Sequence, residues 1–259
     1  MSERAAVAPV LPVFFSACGG ADPTLLAGLF DIHPEIDTHP SALLLHGGAS
    51  GVESSRGAMR QLLDESSRVA AMRVRNGHAA GVRHVGTQVE LSDIESADRL
   101  VAAFPGVPLV CVIGDGRRAV VAERCERMAR AGRPWCAGVN KPALLFDAPS
   151  LREAVVRWAN SLRGALRAAE LLGDRAMILR EDELGAETAR AFGSVCRWLG
   201  VSSEQGRLLA AVQAARARVP AQPPAPHWRE AMTEADKAAF KRIAGELLVE
   251  LGFESDLSW

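Results

Sequence analysis

The sequence predicts an α/β domain with a central parallel sheet flanked by helices. Three observations predict it. Short apolar, β-favouring runs at 11–17, 41–46, 84–89, 108–113 and 176–180 alternate with stretches of helical periodicity. The run PLVCVI at 108–113 is continuously apolar, the pattern of a strand buried on both faces. The first run enters a small-residue turn, Cys18-Gly19-Gly20-Ala21, and Pro23-Thr24-Leu25-Leu26 then opens a helix. A strand, turn and helix in that order converge backbone N–H groups on an anion, and the helix dipole adds favourable potential.

Each element follows from local signals. The first helix ends near Phe30, and SALLLH at 41–46 reads as a short buried strand closed by Gly47-Gly48. Residues 55–75 carry Met59, Leu62, Leu63, Val69 and Met72 at helical spacing. Ser92 and Glu95 form a capping box for a helix through Phe104. Gly114-Asp115-Gly116 turns the fourth strand into a helix over 117–131, and Ser150 with Glu153 is a second capping box, opening a helix to Leu172. After the strand at 176–180, a helix over 183–199 stops at Gly200, and 202–216 is helical. No fixed-period repeat is seen, and the length suits a single α/β domain over residues 1–259, or one domain with a helical appendage, in which a stiff Pro-rich linker, 220–226, leads to a C-terminal helix at 233–251.

Composition narrows the function. The 259 residues are 48% hydrophobic and 24% charged, enough for a large core without staples. A net charge of −1 lacks the basic footprint of a nucleic-acid binder. The five cysteines include no CxxC pair and an odd member, so neither a zinc site nor a disulfide framework is indicated, and a reducing cytoplasm fits. The apolar start of the chain is broken by Pro9 and Pro12, and no run approaches the roughly 20 apolar residues of a membrane span. Tyrosine is absent.

Taken in order, four segments resemble the sulfotransferase family that uses 3′-phosphoadenosine 5′-phosphosulfate (PAPS). The opening strand, loop and helix running to HPEI at 33–36 look like that family's 5′-phosphosulfate loop. Phe104-Pro105, PLVCVI and GDGRRAV look like its "FP…strand…RDPRDV" segment, where the 3′-phosphate is held. ILREDEL running to CRWLG looks like "LRYEDL…FLG", and HWRE with GELLVELGFE resembles a common bacterial C-terminal end. The resemblance covers most of the chain and implies a sulfotransferase-like, P-loop-like three-layer architecture.

The functional positions of that family are altered here. Aligned on Thr24, the loop's basic residue falls on Gly20, its Ser on Ala21, its Gly on Asp22 and its first Thr on Pro23. In the 3′-phosphate segment the first Arg becomes Gly114 and the later Ser becomes Ala122, while Asp115 and Arg117 persist. The Tyr of "RYEDL" is Glu181, and a Lys common before the third helix falls near Gly86. A buried anion that loses its charged partner costs roughly 3–5 kcal/mol. Two lost clamps at half that value weaken a micromolar site about a hundredfold, and Asp22 adds repulsion.

The expectation is therefore a sulfotransferase-fold protein without a cofactor: a donor-binding-deficient pseudoenzyme. It would support an active sulfotransferase homologue, as a heteromer, in a bacterial small-molecule pathway. The alternative is a PAPS-dependent sulfotransferase acting on a small-molecule hydroxyl through non-standard donor contacts, and a third is a repurposed enzyme on the same fold. Remnant donor positions are Gly19, Gly20, Thr24, Arg117 and Arg118, read either as an anion site or as a structural turn and a solvated basic face. His46, at a strand end, is the candidate general base or a packing histidine. Glu181, Asp182 and Glu183 are strand-end carboxylates for helix entry or ligand contact, and no metal ligands are assigned.

Overall fold

The computed structural model describes residues 10–43, 57, 60, 64, 81–130, 148–218 and 227–259. Five strands form one sheet: β1 (Leu11–Cys18), β2 (Ile36–Leu43), β3 (His84–Val89), β4 (Leu109–Ile113) and β5 (Ala176–Arg180). Their spatial order is β2-β3-β1-β4-β5, and every pairing is parallel. The helices are α1 (Thr24–Ile32), α2 (Ile94–Ala103), α3 (Gly116–Arg130), α4 (Ala148–Leu172), α5 (Glu181–Ala186), α6 (Thr188–Leu199), α7 (Gln205–Arg218), α8 (Trp228–Ala231) and α9 (Glu234–Glu250).

The pleat of the central strands divides the core in two. Phe14 and Cys18 of β1, with Leu109, Cys111 and Ile113 of β4, face a layer built on α2, α3, α4 and α9. Val13 and Phe15, with Val110 and Val112, face a layer built on α1, α6 and α7. All five residues of β4 are buried, as its unbroken apolar run requires. This is the three-layer architecture that the sequence predicts, with the carboxyl ends of all strands on one edge.

Several local boundaries differ from expectation. The second strand starts at Ile36, directly after the α1 cap at His33, rather than at 41. It is an edge strand whose register shifts between His39 and Leu43, around Pro40, and an edge is where a strand tolerates a residue without an N–H. The cap of α2 is Asp93, not Ser92: its Oδ1 accepts from Ser96 N–H at 2.7 Å, and Asp93 N–H donates to Ser96 Oγ at 3.1 Å. Ser150 lies inside α4, which begins at Ala148. The helix read over 183–199 is two helices, broken at Glu187, and Gly200 ends the second at φ +69° as its sequence position implies. Thr233 caps α9 in a capping box with Asp236. The helix expected over 55–75, apart from three isolated helical positions, and the linker 220–226 lie outside the described residues.

Two buried histidines join the amino end of the sheet to the end of α6. His33 Nδ1 accepts from Glu35 N–H at 3.2 Å, so its Nε2–H donates to the Ser202 carbonyl at 2.9 Å. His84 Nε2 meets the Leu199 carbonyl at 3.0 Å, while its Nδ1 is buried without a hydrogen-bond partner among the described residues. A second ring proton would therefore have no acceptor, and burial holds the His84 pKa below its usual value. A lowered pKa in the folded state means that the unfolded chain takes up the proton first. Stability is then complete above about pH 6.5 and falls as pH drops below it, by up to about 1.4 kcal/mol per pH unit. Urea unfolding from pH 7.5 to 5 is expected to show this loss, with a shallower slope in His84→Asn than in the parent.

Candidate functional site

The carboxyl edge of the sheet is organised by the loop from Cys18 to Thr24. Gly19 and Gly20 both adopt left-handed φ, +66° and +71°, which lets the chain reverse within two residues before α1 begins. Their environment also excludes side chains: a Cβ on Gly20 would lie 2.5 Å from Ala119 Cβ, and one on Gly19 2.6 Å from Trp158 Nε1. The loop thus keeps a phosphate-loop trace in which its backbone lies directly on α3 and α4.

Position 114 also packs against the loop. Gly114 N–H donates to the Cys18 carbonyl at 3.2 Å, and the Gly114 carbonyl accepts from Trp158 Nε1–H at 3.1 Å. A Cβ on Gly116 would lie 2.4 Å from the Trp158 ring. The indole of Trp158 fills the ground between the loop and the start of α3, so a small residue at 116 follows from it, while a Cβ on Gly114 would press on the loop backbone itself, 3.1 Å from the Ala21 amide nitrogen.

Most loop amides are already engaged. Gly19 N–H donates to Ser161 Oγ at 3.3 Å and Ala21 N–H to the Cys18 carbonyl at 3.4 Å. Asp22 N–H donates to Glu181 Oε1 at 3.0 Å, and Thr24 N–H to Asp22 Oδ1 at 2.8 Å. Gly20, exposed at the apex, is the loop amide for which no acceptor occurs among the described residues. Glu181 is thus brought to the loop, and Asp182 instead pairs with Arg180 at 2.6 Å.

A cavity of about 450 Å³ opens beside the loop, lined by Gly19, Gly20, Glu90, Ser92, Arg157 and Asn160 among others. Glu90 is exposed just beyond the carboxyl end of β3. Arg157 meets Glu123 at 2.7 Å, and Glu123 also pairs with Arg127, so the far wall balances its own charge. Two larger depressions, about 560 Å³ beside α9 and about 670 Å³ between α6 and α7, include no loop residue. Glu90, Ser161 and the depth of the Trp158 contact are absent from the sequence reading, because only strand pairing and the α4 packing bring them to the loop.

The remaining sequence candidates separate. Gly19, Gly20 and Thr24 sit together in the loop, and Arg118 is exposed on the first turn of α3, one residue before the Ala119 that touches Gly20. His46 lies outside the described residues. Cys18 is wholly buried; the Cys111 thiol, with help from Ser16 and Ser161, holds its pKa below the usual range against the effect of burial. Burial and the Cys18 contact push the Cys111 thiol well up. Neither thiol reaches the cleft.

Arg117 turns away from the loop. It is 2% exposed and clamped by Asp115, with Nη2–Oδ2 at 2.7 Å and Nε–Oδ1 at 3.0 Å, and by Glu254. Its guanidinium also lies 4.0 Å from the Trp228 ring centre and 4.6 Å from that of Trp259. Burial opposes the charge, but the two carboxylates outweigh it and raise the Arg117 pKa. This cation therefore locks the C-terminal segment onto α3. Arg117→Ala is expected to cost roughly 3–5 kcal/mol by stranding two part-buried carboxylates, and Arg117→Lys to recover little, lacking the planar fork. Denaturant unfolding monitored by tryptophan fluorescence checks both.

No family model and no curated protein sequence matches the chain. Solved structures do. The sulfotransferase domain of the Synechococcus PCC 7002 olefin synthase matches with a TM-score of 0.54 at 15% identity, over 95% of this chain and 98% of that one. Sulfotransferase STF9 from Mycobacterium avium matches at 0.56 and 13% identity, over 96% and 78%. Mouse sulfotransferase SULT7A1, complexed with PAP, matches at 0.61 and 10% identity, over 97% and 88%. That last match corrects the expectation of a protein without a cofactor: a nucleotide-bound sulfotransferase shares the fold over nearly the whole chain, so altered side chains in the loop are no ground for excluding a nucleotide. The chain has the fold of the PAPS-dependent sulfotransferases.

Proposed function

We propose that the protein is a PAPS-dependent sulfotransferase that modifies a small-molecule hydroxyl through non-standard donor contacts. The observation that carries the reading is the left-handed Gly19-Gly20 turn at the carboxyl edge of an all-parallel sheet, opening on a cavity of about 450 Å³. Backbone donors at such a turn suit a phosphate without a lysine. Arg118, exposed at the start of α3, is the cation that would supplement them.

PAPS supplies an activated sulfuryl group. In the transfer, the S–O bond to the 5′-phosphate breaks and a new S–O bond forms to the acceptor oxygen, so the acceptor must give up its proton. Glu90 shares the cavity with Gly19 and Gly20 and has no ion-pair partner among the described residues, which suits it to receive that proton. The loop amides would hold the charge that develops on the leaving phosphate.

A second reading has the chain as a supporting subunit of an active homologue, and it draws on the carboxylates Asp22 and Glu181 in the loop. Calorimetric titration of the isolated chain with PAP separates the two. The enzyme reading expects micromolar binding and PAPS-dependent sulfonation by the chain alone, with Glu90→Gln lowering turnover about a hundredfold or more at unchanged PAP affinity. Absence of binding by the isolated chain, with binding only in a complex with a sulfotransferase homologue, would favour the supporting role.

A further inference from the structure

We infer that the anion loop is regulated from within: the Glu181 carboxylate occupies the loop as an internal stand-in for the donor's phosphate, and the nucleotide binds by displacing it. The inference rests on the donor-binding reading above and concerns how that site is gated.

Glu181 is the first residue of α5, immediately after β5. In the sheet, β4 separates β5 from β1. The contact with Asp22 therefore crosses a strand along the carboxyl edge and joins residues 159 positions apart in the chain. A carboxylate oxygen at 3.0 Å from an amide nitrogen at a helix start takes the place that a phosphate oxygen takes in an anion loop. Asp22 adds a second carboxylate, on the Thr24 N–H.

The neighbouring acids behave differently. Asp182 is neutralised by Arg180, which also donates to the Gly252 carbonyl and lies over the Phe253 ring. No cation among the described residues is paired with Asp22 or Glu181. Two formal negative charges thus face the positive end of α1 with only amide donors to balance them. An incoming phosphate needs the same amides and is repelled by the same charges. When the Glu181 side chain swings out, the Asp22 N–H is released to join the exposed Gly20 N–H. Glu181 is half-buried at the start of a six-residue helix, so the movement needs a side-chain rotation and no change in the sheet.

The test is calorimetric titration with PAP of the full chain, Glu181→Ala and Glu183→Ala. Glu183 is an exposed acid two residues on and serves as a control of equal charge. Glu181→Ala is expected to bind at least about tenfold more tightly than the parent, the factor carried by one charge-assisted hydrogen bond, with Glu183→Ala within about twofold of it. Equal affinity in parent and Glu181→Ala would overturn the gate while leaving donor binding intact. Equal tightening in both variants would also overturn it, showing a general charge effect. If none of the three binds PAP while all unfold at the same denaturant concentration, the donor-binding reading falls and the gate with it.

Discussion

Amide donors at the start of a helix must find acceptors, and in this protein that requirement governs the whole carboxyl edge of the sheet. The loop from Cys18 to Thr24 reverses direction on two left-handed glycines. Ser161, the Cys18 carbonyl, Glu181 and Asp22 answer most of them. Three of these acceptors belong to elements fixed by the core: Ser161 to α4, Glu181 to the start of α5, Cys18 to β1. The loop is consequently a junction at which three elements of the fold are held together by one set of backbone donors, and any ligand for those donors competes with the fold's own contacts.

The side-chain substitutions around the loop follow from packing as well as from function. Trp158 lies against Gly19, Gly114 and Gly116, and its indole donates to the Gly114 carbonyl. Once that ring is seated, no larger residue fits at 116, and at 114 a side chain would crowd the backbone of Gly19 and Ala21. Arg117 is meanwhile recruited by Asp115, Glu254 and two indoles to fasten the C-terminal segment. The cations near the cleft are therefore peripheral: Arg118 at the start of α3, and Arg157, already paired with Glu123. Structures at 10–15% identity share the fold over nearly the whole chain, so the architecture tolerates wide change in sequence.

What the sequence revealed was what local chemistry decides. The run at 108–113 is a strand because apolar, β-branched residues fill both faces of a buried sheet. Gly200 stops α6 because left-handed backbone there suits glycine. The edge strand was misread because its start at Ile36 is set by pairing with β3 and runs through Pro40, which local pattern counts against a strand. The loop was visible as a motif, and its missing cations were visible as substitutions. The occupants of its amides were not, since Glu181 lies 159 positions from Asp22. Arg117 likewise looked like a phosphate ligand because Glu254, 137 positions on, cannot be read from its neighbours.

The central claim is that the donor's phosphate is held by loop amides rather than by side-chain cations. A crystal structure of the chain with PAP tests it most directly. The account predicts the 5′-phosphate within about 3 Å of the Gly20 and Asp22 amide nitrogens, with the Glu181 carboxylate turned out of the loop and Arg117 still bound to Asp115 and Glu254. A phosphate ion-paired to an Arg117 freed from those carboxylates, with Glu181 still on the Asp22 N–H, would contradict it.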